Sequence, residues 1–145
     1  LPKSCARSNL NNHSLVTVIE YLGVKLIIPG DNEPPSWKEL LNQTDFCSAI
    51  SSANLLLAPH HGRDSGFCAD IFDYFKPRLT IISDGRFCDT SATERYYRVT
   101  QGWKVHRRSG GTVERKCVTT RNDGVIVIKI GSNFEGKPFI EVTIG

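Results

Sequence analysis

The chain has 145 residues, 39% of them hydrophobic and 23% charged, with a net charge of +3. That length predicts one domain able to bury a core of its own. The composition excludes a disordered or collagen-like chain, and no stretch approaches the roughly 20 apolar residues of a membrane span.

The opening residues, Leu1-Pro2-Lys3-Ser4-Cys5, lack the apolar core of a signal peptide, and the sequence contains no Met. Both features point to a processed or truncated product. The five cysteines are scattered and odd in number, with no Cys-x-x-Cys pair. This argues against a disulfide framework or a zinc knuckle and for reduced thiols in a cytoplasmic protein.

Residues 15–21 are rich in β-branched side chains and predict a strand. Gly23 turns the chain, and residues 24–28 return as a second strand of a hairpin ending at Gly30-Asp31. Pro34-Pro35 is expected to break the chain. Ser36 then resembles a helix N-cap with Glu39 completing a capping box, the helix running to about Gln43. Residues 55–58 form a short apolar run of the kind a buried strand needs. A loop is expected over 60–66, a helix over 67–75, and a buried strand over 79–82. Ser91 caps a helix over 92–100.

The C-terminal third reads as β structure. Residues 104–106 make a short strand. Residues 112–120 and 124–130 alternate and are joined by Arg121-Asn122-Asp123-Gly124, strong turn chemistry for a hairpin. Residues 138–144 add an edge strand. Strands alternating with helices predict an α/β domain with a mixed sheet and a C-terminal β-hairpin. In such sheets ligands bind beyond the strand ends.

Three of those ends carry chemistry, in four residues: Asp31, His60 with His61, and Asp84. An aspartate can bridge two metal ions, and imidazole nitrogen suits zinc, manganese or iron. Two metals roughly 3.5–4 Å apart clamp a phosphate and generate hydroxide near neutral pH. Asp84 either orients a ligand histidine or starts a turn. Arg63 and Ser65, on the loop after the histidines, are candidate phosphate donors. Tyr97 is a candidate platform for a base. Lys104, His106, Arg107, Arg108, Arg115, Lys116 and Arg121 form a basic region able to track a nucleic-acid backbone. Ser109-Gly110-Gly111 fails as a phosphate loop because no Lys-Ser/Thr or helix follows.

The ordered set Asn11-Asn12-His13-Ser14-Leu15-Val16, Pro29-Gly30-Asp31, Ala58-Pro59-His60-His61-Gly62 and Lys76-Pro77 before Ile81-Ile82-Ser83 resembles the C-terminal half of a metallo-β-lactamase-fold hydrolase. The closest likeness is to the domain of competence-type DNA-uptake proteins. The resemblance implies half of an αββα sandwich and two zinc ions, with manganese or iron as alternatives. It makes Asp31 the bridging carboxylate, His61 a ligand and His60 a catalytic contact to the substrate. His13 becomes a third ligand, with Asn12 its rival.

The family's His-x-His-x-Asp-His motif is missing. The chain's four histidines are His13, His60, His61 and His106. The resemblance therefore implies the distal half of a phosphodiesterase or nuclease acting on nucleic acid or another phosphodiester. Its partner is an N-terminal half carrying the main metal motif, and an isolated half is expected to expose one face of its sheet. The competing reading is a non-catalytic binding or scaffolding module that keeps the fold without the metal motif.

Overall fold

A computed structural model describes residues 9–85 and 91–145. Strands β1 (Thr17–Tyr21) and β2 (Val24–Ile28) form the expected antiparallel hairpin, with Thr17 opposite Ile28 and Tyr21 opposite Val24. Leu22 and Gly23 both take positive φ, at 50° and 76°, as a two-residue hairpin turn requires.

Pro34 and Pro35 begin helix α1 (Pro34–Leu40) instead of breaking the chain, with Glu33 at its N-cap. Proline loses nothing in a first helical turn, where the N–H has no intrahelical partner. The capping box expected at Ser36 is consequently not formed. Ser36 is buried in the helix, and its hydroxyl donates to Asn32 Oδ1. Helix α2 (Thr44–Ile50) follows, a segment that sequence reasoning left unassigned.

Strand β3 (Leu55–Leu57) leads into three short 3-10 turns at Pro59–Gly62, Asp64–Gly66 and Ala69–Asp73. These replace the loop and helix expected over 60–75. Strand β4 (Leu79–Ile82) falls where expected, and helix α3 (Thr93–Val99) starts from Ala92 instead of Ser91.

The remaining elements are β5 (Trp103–Arg107), β6 (Thr112–Arg115), β7 (Cys117–Thr119), the helical turn α4 (Thr120–Asp123), β8 (Ile126–Ser132) and β9 (Pro138–Ile144). They form two sheets, ordered β1-β2-β3-β4-β7 and β6-β5-β9-β8. Strands β2, β3, β4 and β7 are mutually parallel. The single run expected over 112–120 is thus two strands in different sheets, and the chain crosses between them at Lys116.

Two pairings differ from expectation. The hairpin of 112–120 with 124–130 does not form, because Asn122-Asp123-Gly124 closes a helical turn. Thr119 Oγ1 accepts from Asn122 N at 3.1 Å, and Asp123 Oδ2 accepts from Thr119 N at 2.9 Å. Strand β8 pairs with β9 instead, from Ile126 opposite Ile144 to Ser132 opposite Pro138. Strand β9 also pairs with β5, so it is internal to its sheet.

Alternation along the parallel strands separates two cores. Ile27, Leu56 and Ile82 face the helices and pack with Trp37, Ile50, Phe67 and Tyr96. Leu55, Leu79, Ile81 and Val118 face the second sheet and meet Val105, Ile140 and Val142. The chain is α/β, with mixed sheets and the β8–β9 hairpin at its C-terminal end. The central strands are not left with a bare face, because the chain's own C-terminal strands cover them. Among the exposed apolar side chains are two on edge strand β1, Ile19 and Tyr21, which are 46% and 56% exposed.

Tyr96 is buried, its ring edge-on to Phe67 with centroids 5.0 Å apart, and its hydroxyl has no hydrogen-bond partner among the described residues. An unsatisfied buried hydroxyl costs on the order of 1–3 kcal/mol. Tyr96→Phe should therefore raise stability by about 1 kcal/mol, read as a higher urea midpoint at unchanged slope. A lower midpoint would show that the hydroxyl has a partner.

Candidate functional site

Because β2, β3, β4 and β7 run parallel, their C-terminal ends share one edge of the sheet. The residues following them, Asp31, His60-His61, Ser83-Asp84 and Thr120-Arg121, are therefore neighbours. The first tip is set by Gly30 at φ 62°, where a Cβ would stand 2.8 Å from Ser14 Cβ. Ser14 Oγ accepts from Asp31 N at 3.1 Å, and Gly30 O accepts from His60 N at 3.1 Å, joining the first tip to the second.

The second tip is strained. His60 (φ 49°, ψ 45°), His61 (φ 55°, ψ 26°) and Gly62 (φ 75°) are three successive left-handed residues. Two of them carry a Cβ, which makes this conformation costly. The turn gives the two imidazoles different environments.

His61 points to the open edge. Its Nδ1 is 2.8 Å from Ser83 O, and its Nε2 is 3.8 Å from Asp31 Oδ1, both side chains being 44% exposed. A carbonyl can only accept, so Nδ1 carries the proton of the neutral ring. Nε2 then faces Asp31 with a lone pair. Two acceptors facing each other at this half-exposed edge can share a metal ion, or a water that donates to both.

His60 is committed at both nitrogens. Its Nε2 lies 3.2 Å from Arg63 Nη1, which can only donate. Its Nδ1 lies 3.0 Å from Ser65 Oγ and 3.3 Å from Glu33 Oε1. Serine and carboxylate share one nitrogen, so the group is not a Ser-His-acid triad, which needs them on opposite sides of the ring. Here His60 holds Arg63 and Ser65 in place.

Glu33 was not singled out from sequence, yet it gathers this end of the molecule. Asn9 Nδ2 donates to its Oε2 at 2.6 Å, Asn11 Nδ2 donates to its Oε1 at 3.1 Å, and Asn12 Oδ1 accepts from its N at 3.3 Å. The available signal was the run of asparagines before β1, short amides suited to buried carboxylate and backbone bonding.

The other expected residues lie apart. His13 is exposed and opens on a separate hollow of about 310 Å³ with Leu15, Leu40 and Phe46. Tyr97 lines another hollow, with Lys116 Nζ 4.8 Å from its ring centre. Asp84 turns away from His61. Its Oδ1 accepts from Arg121 N at 3.0 Å, and its Oδ2 is 3.3 Å from Arg121 Nε. The backbone of Ser83, not the Asp84 carboxylate, orients the histidine.

Among the described residues no three His, Cys, Asp or Glu side chains gather as a metal cage. The described cysteines Cys47, Cys68 and Cys117 are unpaired. Burial pushes the Cys68 thiol up and the Cys117 thiol up to about 12, so both are packing groups and not thiolate ligands. No helix among the described residues is long and apolar enough to cross a membrane. No family model matches the chain, and no curated protein matches it.

Glu33 and Asp31 should behave oppositely on mutation. Glu33→Ala removes the acceptor of two amides and an imidazole and should cost on the order of 1–3 kcal/mol. Asp31→Ala, at a half-exposed tip without packing duties, should stay within about 0.5 kcal/mol. Thermal melts of both variants check this, and equal losses would make Asp31 a structural residue.

Proposed function

We propose that this chain is the distal half of a metal-dependent hydrolase of the phosphodiesterase or nuclease kind, completed by an upstream segment that carries the remaining ligands. One observation supports the reading above the others. The lone-pair nitrogen of His61 and a carboxylate oxygen of Asp31 face each other across 3.8 Å at the open end of parallel strands. The Ser83 carbonyl fixes the tautomer that a metal ligand needs.

Asp31 and His61 are the residues that would hold zinc, with manganese or iron as alternatives. Zinc bound there supplies Lewis-acid activation of water and charge neutralisation at phosphorus. The chain's own residues do the positioning. Ser83 O sets the rotation of His61, and the Gly30–His60 hydrogen bond sets the spacing between the two tips. Arg63 and Ser65 follow His61 on the same loop, and Arg63 is oriented by His60. They provide donors for a phosphate oxygen. Two side chains are too few for two ions, so the isolated chain binds metal weakly and turns over little. The scattered cysteines are in keeping with a reducing, cytoplasmic setting.

Zinc titration of the purified chain, followed through the histidine ring resonances, tests the site. His61 should shift first and His106 not at all, and Asp31→Ala or His61→Ala should abolish the response. Zinc binding that survives both substitutions would sink the assignment. With bis(p-nitrophenyl) phosphate the isolated chain should show no metal-dependent turnover. Robust turnover would refute the half-site reading.

A further inference from the structure

Two adjoining hollows lie where the chain crosses between its sheets. The first, about 550 Å³, is lined by Tyr97 of α3, by Arg115 and Lys116 at the crossing, and by Asn122 and Asp123 of α4. The second, about 430 Å³, shares Arg115, Asn122 and Asp123 with the first and adds Arg107 and Arg108. The shared residues set the two hollows side by side, and together they are treated as one cleft.

The cleft is cationic. Arg107, Arg108, Arg115 and Lys116 stand against Glu114 and Asp123. Asp123 is already engaged, accepting from Thr119 N and lying 3.9 Å from Arg115. Among the described residues no carboxylate is within ion-pair distance of Arg107, Arg108 or Lys116. Lys116 instead sits over the half-exposed ring of Tyr97. Unpaired cations beside an aromatic face are the two elements of a groove that follows a phosphate backbone while stacking bases. The structure also divides the basic residues of the sequence. Lys104 and His106 flank core-facing Val105 on β5 and so belong to the outer face of the second sheet.

The cleft runs beside β7, from Lys116 just ahead of the strand to Asn122 and Asp123 beyond its C-terminal end, where it meets the edge that carries Asp31 and His61. Neighbouring strands are roughly 4.8 Å apart, so two spacings, from β3 across β4 to β7, set the tip that leads to His61 roughly 10 Å to the side of the near end of the cleft. Asp84, the carboxylate between them, is 2% exposed and paired with Arg121 at 3.3 Å. It does not present a free negative charge to a passing backbone.

We propose that this cleft binds single-stranded nucleic acid, with Arg107, Arg108, Arg115 and Lys116 on successive phosphates and Tyr97 under a base. A concave cleft with an aromatic ring in its wall suits one strand with unpaired bases. A duplex hides those faces in its stack. The inference rests on the hydrolase reading for the position of the scissile phosphate at Asp31 and His61. The binding itself needs no metal.

Fluorescence anisotropy of a labelled twelve-residue oligothymidylate with the full 145-residue chain, in EDTA, tests the cleft independently of the metal site. Four phosphate contacts predict a log–log salt slope of about −2.8, at about 0.7 per contact on a single strand. Arg107→Ala/Arg108→Ala should reduce the slope to about −1.4. Tyr97→Ala should weaken binding roughly fivefold or more, and Tyr97→Phe should restore it. Lys104→Ala, on the other face, should bind as the unmodified chain does. An unchanged slope in the double variant, an equal loss in Lys104→Ala, or tighter binding of the matching duplex would each overturn the proposal. A changed slope together with a zinc titration that never reaches His61 would keep the cleft and sink the hydrolase reading. The reverse pattern would do the opposite.

Discussion

The left-handed turn at His60-His61-Gly62 is the constraint on which the functional edge of the molecule depends. Two β-carbon-bearing residues in that conformation cost roughly 1–2 kcal/mol each, and the surroundings offset it at identifiable points. His60 N donates to Gly30 O, Arg63 N closes the turn onto His60 O, and Ala92 N donates to Gly62 O. The rings complete the lock, His61 on Ser83 O and His60 among Arg63, Ser65 and Glu33. Gly62 is also pressed against β4, where a Cβ would lie 2.8 Å from Ile82 Cγ2. Strain held this firmly by neighbouring elements belongs with residues placed for contact, not packing. Here it turns one histidine into the structure and the other out of it.

The rest of the fold serves to bring the tips together. Each parallel strand buries one set of side chains against helices and the alternate set against the second sheet. A strand buried on both faces cannot slip in register without forcing core residues into the wrong layer. The tips are therefore held level by two cores at once. The crossing at Lys116 ties the sheets covalently and places the basic cleft beside β7.

Much of this was legible in the sequence because buried strands are short, apolar and sharply terminated. Strands β2 and β4 matched residue for residue, and the polar tips followed from them. The failures share a cause: a local signal was outvoted by a tertiary one. Asn122-Asp123-Gly124 is hairpin chemistry, but Thr119 and Asp123 bond the same backbone into a helical turn. Pro34-Pro35 is a breaker in isolation and a helix start when Glu33 precedes it at the N-cap. Helix α2 has too little apolar periodicity to announce itself, with Ile50 its one fully buried residue. No pattern local to Glu33 marks it, because its partners come from 22 and 24 residues away.

The geometry of strand tips also bears on why Asp31 and His61 stand alone as a pair. A strand offers one or two residues beyond its last ladder position before the chain turns away. Of the four parallel tips, β2 contributes Asp31 and β3 contributes His61. The acid after β4 is turned to Arg121, and β7 ends in Thr120, Arg121 and Asn122, which are poor zinc ligands. The edge beyond β7 is cationic and repels a metal ion. On the hydrolase reading, further ligands therefore have to approach from the β1 side. There Ile19, Tyr21, Leu10 and Leu15 are exposed, and among the described residues β1 is an edge strand. On the hydrolase reading, charge thus separates two directions along one edge: a completing segment arrives past β1, and an anionic substrate leaves past β7.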